Sequence, residues 1–193
     1  MDPIQIAPGL TLTEQQYAVA AAGCAARAPD LDQLSWETFA HPTNWWLIPE
    51  KDGRLAKAEL VLREDPDRTV KINLWFLPDL RDTLPRPHSH PWDFSARILS
   101  GGYAETRYTA SDGQVSVENV EHGASATNLV GRQVFHEVTA LHSHPGGTVT
   151  LMTCGPGIRG SWGYLNPDTG RRTPPASDPG FPARLKALNP HQR

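Results

Sequence analysis

TVKINLWFL, residues 69–77, alternates with a period of two: Val70, Ile72, Leu74 and Phe76 fall on one face, Lys71, Asn73 and Trp75 on the other. A helix would bring together residues three and four apart and mix the two sets, so the stretch reads as a strand. Working outward, strand-like runs recur at NWWLI (44–48), AELVL (58–62), SARILSGGYAETRYT (95–109), QVSVENV (114–120), SATNLV (125–130), QVFHEVTAL (133–141), TVTLMTC (148–154) and SWGYL (161–165). Gly, Pro, Asp or Asn punctuates the gaps, including DG at 112–113 and PGG at 145–147. Eighteen prolines and sixteen glycines are spread between these apolar runs. Many short strands without interleaved helices predict an all-β sandwich or barrel.

The flanks read differently. Thr11 and Thr13 stand three residues before Glu14 and Gln16, the spacing of a capping box, ahead of an alanine-rich run that ends before Pro29. One helix over 13–27 is expected, then a short helical turn within 31–39. The run AVAAAGCAARA (18–28) lacks the basic start and large apolar core of a secretory signal and reads as that helix. From Pro167 the chain reads as an irregular proline-rich tail with one short helix at 182–188. The expected organisation is a helical extension over 1–42, a β-barrel over 43–166 and a tail over 167–193.

At 193 residues the chain suits a core of ordinary size. A net charge of -3 supplies no basic field for nucleic acid or an acidic membrane surface. No run of about twenty apolar residues predicts a membrane span. Two cysteines, Cys24 and Cys154, are too few for a disulfide framework. The expected setting is the reduced cytoplasm.

The histidines carry the chemistry. Of eight in the chain, four lie in two copies of HSHP, at 88–91 and 142–145. Residues i and i+2 of an extended segment point to the same side, so His88 and His90 can lean toward one ion. Two imidazoles from one segment do not close a site, and a further ligand must come from elsewhere. The second copy, followed by Gly146 and Gly147, reads as a hairpin end that places His142 and His144 at a rim. The zinc isopeptidase motif of the JAMM type also contains HSHP, but its serine and aspartate positions hold Ile98 and Gly101 after the first copy, and Met152 and Gly155 after the second.

HSHPWDFSARILSGGY (88–103) resembles the first motif of the cupin superfamily, in which HxH precedes a strand ending in glycine. RQVFHEV (132–138) is similar to the second, and the match is His136. The resemblance spans about 70–165, and HPWDF…GGYxE looks like a bacterial, oxygenase-like branch. It implies a cupin-type jelly-roll β-barrel with a metal held by His88, His90 and His136. Ser95 stands where the first motif has its glutamate, and Gly131, Gln133 and Ala140 where the second has proline, glycine and asparagine. The ligand set is therefore three histidines, or three histidines with Asp93. Pairing of two copies through their sheets, a homodimer, is implied by the resemblance alone.

If 95–107 runs without a bulge, Ser95, Arg97, Tyr103, Glu105 and Arg107 share the histidines' face. Arg97 is then a clamp for a substrate carboxylate, Glu105 a base, and Tyr103, with Trp162 and Tyr164, a pocket wall. Neutral imidazoles suit Fe(II), and also Zn, Mn or Ni. The expected function is a mononuclear Fe(II) dioxygenase or hydroxylase acting on a small polar, amino-acid-like or carboxylate molecule. The alternatives are a metal-dependent lyase or isomerase, and a barrel that binds a small ligand without turnover.

Overall fold

The computed structural model describes residues 2–79, 85–111, 114–175 and 178–192. A hairpin of β1 (Ile4–Ala7) and β2 (Leu10–Leu12) leads into helices α1 (Glu14–Arg27) and α2 (Trp36–Ala40). The barrel follows: β3 (Trp45–Pro49), β4 (Leu55–Asp65), β5 (Arg68–Trp75), β6 (Phe94–Ser100), β7 (Gly102–Ser111), β8 (Gln114–Gly123), β9 (Thr127–Val130), β10 (Phe135–Leu141) and β11 (Thr148–Cys154). Two short strands, β12 (Tyr164–Leu165) and β13 (Arg172–Thr173), and helix α3 (Phe181–Leu188) complete it. The N-terminal hairpin and β13 were not expected from sequence, whereas β12 falls within the expected run SWGYL. The expected DG turn at 112–113 lies outside the described residues, and its flanks pair as Ser111↔Gln114.

One sheet has the order β3-β4-β5-β11-β6-β9. The other has β10-β7-β8 and is extended by His88, which bridges His136 of β10 on one side and Tyr164 of β12 on the other. From β5 onward the chain crosses between the sheets at nearly every step, pairing β5 with β11, His88 with β10, β6 with both β9 and β11, and β7 with β8. That is the jelly-roll order, and all these pairings are antiparallel. The fold is an all-β jelly-roll barrel.

Sequence explains the covering layer. Thr13 caps α1 by accepting from Gln16 N, and Gln16 reaches back to the Thr13 N–H. The buried side of α1 is Ala20, Gly23 and Cys24. A β-carbon on Gly23 would stand 2.6 Å from the Leu99 methyls, so glycine lets α1 sit this close to β6 without moving that side chain. The hairpin and helices bury Ile6, Leu10, Leu12, Leu34, Phe39 and Trp45 against Leu60, Val70, Ile72, Leu74, Val149 and Leu151 of the large sheet. Each such side chain taken from water contributes roughly 1.5–3 kcal/mol. At the sheet's edge, Asn189 after α3 accepts from Leu47 N and donates to Leu47 O, both at 2.8 Å, so its amide stands in for a neighbouring strand.

This layer decides what the barrel holds. Because Val70, Ile72 and Leu74 face the helices, the other set of TVKINLW, Lys71, Asn73 and Trp75, faces the second sheet. The register aligns Lys57 with Trp75, Glu59 with Asn73 and Thr150, and Lys71 with Met152, on one inner floor. The interior between the sheets, the chamber, is therefore lined on this side by polar and charged side chains.

Candidate metal centre

His88 and His136 exchange backbone hydrogen bonds, His88 N to His136 O and His136 N to His88 O, each 2.9 Å. Directly opposed residues point the same way. Ser89 turns to the other side, where its hydroxyl accepts from Gly163 N, and His90 returns to the side of His88. The three rings form a nearly equilateral triangle, with centroids 4.9 Å apart for His88–His90 and 5.1 Å for each of the other pairs. One nitrogen from each falls within 4.8 Å of the other two. His90 and His136 rest on Phe94, which rises from the floor on β6.

The donors fit one metal ion. His136 Nδ1 lies 2.6 Å from Glu105 Oε1, so that nitrogen donates and Nε2 presents its lone pair. His90 Nε2 faces His136 Nε2 at 2.9 Å. Two ligands about 2.1 Å from an ion stand roughly 3.0 Å apart at a right angle and roughly 3.4 Å apart at a tetrahedral one. With all three nitrogens within 4.8 Å, a small inward shift of the rings brings them to such spacings. Burial, then His136 and His88, with Lys57 and Lys71 adding to them, hold the His90 pKa well below the imidazole range, which keeps it a neutral donor.

Glu105 is fully buried and accepts from three sides: His136 Nδ1, His122 Nε2 at 2.7 Å and Asn128 Nδ2 at 2.7 Å, with Arg107 at 3.4 Å. Burial alone would raise its pKa, but the hydrogen bond from His136, then Arg107 and the hydrogen bond from His122, hold it at about 2. The sequence reading made Glu105 a base facing substrate. The structure puts it behind His136, as the carboxylate that fixes that ring. Tyr103 stacks between Trp75 and His122 and accepts from Asn128 Nδ2 at 2.9 Å. Tyr103 is buried on the inner side of β7.

Arg97 is elsewhere. Along β6 Phe94, Ala96 and Ile98 are buried toward the second sheet, so Ser95 and Arg97 point away, and Arg97 donates to Thr127 Oγ1 at 3.2 Å. The parity resets at Gly101, whose φ of +68 breaks the strand before Tyr103. Tyr103, Glu105 and Arg107 face inward while Ser95 and Arg97 do not. Asp93 is tied to the next turn, accepting from Arg132 N at 2.7 Å, and is exposed. His142 pairs with Glu121 at 2.9 Å, and His144 is exposed in the same turn region. Neither histidine joins the triangle.

Sequence reasoning missed the floor. Glu59 bridges two ammonium groups, Lys57 Nζ at 3.1 Å and Lys71 Nζ at 2.8 Å. Burial would raise the Glu59 pKa, but Lys57 and then Lys71 hold it at about 2. Because the folded value lies below the ordinary one, this stabilisation is complete above about pH 4.5 and is lost as pH falls through about 2. It amounts to about 3 kcal/mol. Thermal melts from pH 5 to 2.5 should show wild type losing stability more steeply than Glu59→Gln, and parallel curves would contradict the assignment. His122 and Asn128 were also missed. The pair Ser111↔Gln114, on either side of the DG of the sequence, sets the register that carries through to Tyr103↔His122, so that signal was present.

His88 also borders a cleft of about 260 Å³ with Asp79, Arg86, Trp162 and Tyr164, which leads from the triangle to the surface. Arg86 lies over the Tyr164 ring at 5.4 Å. Trp162 and Tyr164 thus line an approach rather than the chamber.

Among the described residues, no helix is long and apolar enough to cross a membrane. No family model and no curated protein matches the chain. Among solved structures, it is similar to a Streptomyces PAC13 variant with uridine, at 15% identity, 57% of this chain, 79% of that one and a TM-score of 0.40. It is also similar to Fe(II)-HppE with an alternative substrate, (S)-1-HPP, at 15% identity, 56% and 54% coverage and a TM-score of 0.41. KdgF from Halomonas sp. aligns at 13% identity, 52% and 79% coverage and a TM-score of 0.37. At these scores the likeness assigns neither activity nor substrate.

Proposed function

We propose that His88, His90 and His136 hold one Fe(II) ion and that the protein is a mononuclear non-haem iron oxygenase, a dioxygenase or hydroxylase. Its substrate would be a small polar molecule, amino-acid-like or a carboxylate. The observation that carries this reading is the triangle of three imidazoles, with no carboxylate among them. Three protein ligands leave positions open, and an iron ion there would bring dioxygen and substrate together. The chain's own part is to orient and to exclude water. Glu105 fixes His136, Phe94 backs two of the rings, and Tyr103 and Trp75 close the wall. A lyase or isomerase reading loses its base, because Glu105 is occupied behind the ligand.

The test is oxygen uptake by the Fe(II)-loaded full chain, screened against amino acids and short carboxylates. Uptake that depends on one of them and vanishes in a His90→Ala variant is expected. No uptake with any of them, or turnover that persists without oxygen, would overturn the assignment.

A further inference from the structure

The chamber floor holds three charged side chains that the metal ligands do not explain. Lys57, Glu59 and Lys71 project from adjacent strands between the two sheets, with side chains 26%, 15% and 13% exposed. Ions so placed cost several kcal/mol each in lost hydration, and well-packed apolar side chains would serve stability as well or better. The arrangement sets two ammonium groups on one carboxylate, and Asp79, which accepts from Val138 N, is the further negative charge that acts on Lys57. Each ammonium carries three N–H donors. Glu59 is the only hydrogen-bond acceptor either meets among the described residues, one carboxylate oxygen per lysine, and Lys57 also lies over the Trp75 ring at 4.9 Å. Glu59 therefore fixes the two cations side by side without satisfying them.

A second observation points the same way. Asn73, opposite Glu59 in the register, is fully buried, its Nδ2 reaches only Met152 Sδ at 3.5 Å, and its Oδ1 has no partner. A buried polar group without a partner is costly, and such groups gather where a ligand completes them. The floor faces the histidine triangle. Lys71 on β5 and Phe94 on β6, which carries two of the rings, are separated by β11 alone, two strand spacings or roughly 10 Å.

We propose that Lys57 and Lys71, held by Glu59 and flanked by Asn73, bind the carboxylate of the substrate, the role that sequence had given to Arg97. The assignment deepens the oxygenase reading and rests on it for the identity of the bound molecule as substrate. The unmet N–H donors of the two ammonium groups suit a carboxylate, which only accepts. The roughly 10 Å span limits the substrate to a short chain, with its carboxylate on the lysines and its reacting end at the histidines.

The experiment is calorimetric titration of the full chain, metal-free and Fe(II)-loaded under argon, with succinate and separately with inorganic phosphate. Wild type, Lys57→Met, Lys71→Met and Glu59→Gln are compared. Succinate should bind both forms of the wild type, and each lysine substitution should weaken it at least tenfold. Glu59→Gln removes the internal counter-charge and should tighten it several-fold. A purely structural triad predicts weaker binding there, so that variant decides the matter even if a lysine variant fails to fold. Weaker succinate binding in Glu59→Gln, affinities unchanged in the lysine variants, or no succinate binding to wild type would overturn the proposal. Tenfold preference for phosphate would overturn the carboxylate assignment in favour of a phosphoryl group. Lysine-dependent succinate binding to a protein that consumes no oxygen would leave the subsite standing and remove the oxygenase reading.

Discussion

His136→Ala is expected to lower iron retained after gel filtration from near one per chain to below about 0.1, while the barrel stays folded. Three ligands reduced to two leave no closed set, and His136 is the only one supplied by β10. The truncation also strands Glu105, which loses its 2.6 Å hydrogen bond but keeps His122 and Asn128. One lost buried hydrogen bond of this kind costs about 1–3 kcal/mol. The melting temperature should therefore fall by several degrees, without loss of the circular dichroism signature of the sheets. Unchanged iron retention in this variant would show that His136 is a core histidine and not a ligand.

Glu105→Gln should weaken iron binding by about 10–100-fold, as removing a carboxylate behind a metal-bound imidazole does. Glutamine offers one acceptor where Glu105 offers two oxygens to three donors, and its NH2 must face at least one of them. A buried donor set against a donor costs about 1–3 kcal/mol, so stability falls as well. The pattern across measurements is the discriminating part. A carboxylate acting as a base would keep its metal when changed to glutamine and lose only turnover. Glu105→Gln with unaltered iron affinity and abolished turnover would restore the reading of Glu105 as a base.

The strands were legible because alternation is local. Val70, Ile72 and Leu74 share a face whatever they pack against, and the HxH pair shares one for the same reason. His136 could be aligned with the pair because Phe135 and Glu137 belong to the other face of the same run. What could not be read locally was which face looks inward. In TVKINLW the apolar face meets a layer of helices, and the mixed face with Lys71 and Asn73 lines the chamber, the reverse of a simple barrel with a greasy interior. Lys57, Glu59 and Lys71 were passed over for that reason. Arg97 was placed on the wrong face by counting through Gly101, where one residue at positive φ separates two strands that the sequence presents as one. The N-terminal hairpin was missed although APGLTL carries a turn and an alternating pair, Leu10 and Leu12.

The central claim is that three imidazoles brought within 4.8 Å of one another hold an iron ion. Elemental analysis of the full chain, purified without added metal or chelating resin, tests it most directly. The account predicts iron near one per chain. No metal in the purified protein, and none after soaking with Fe(II) under argon, would contradict it.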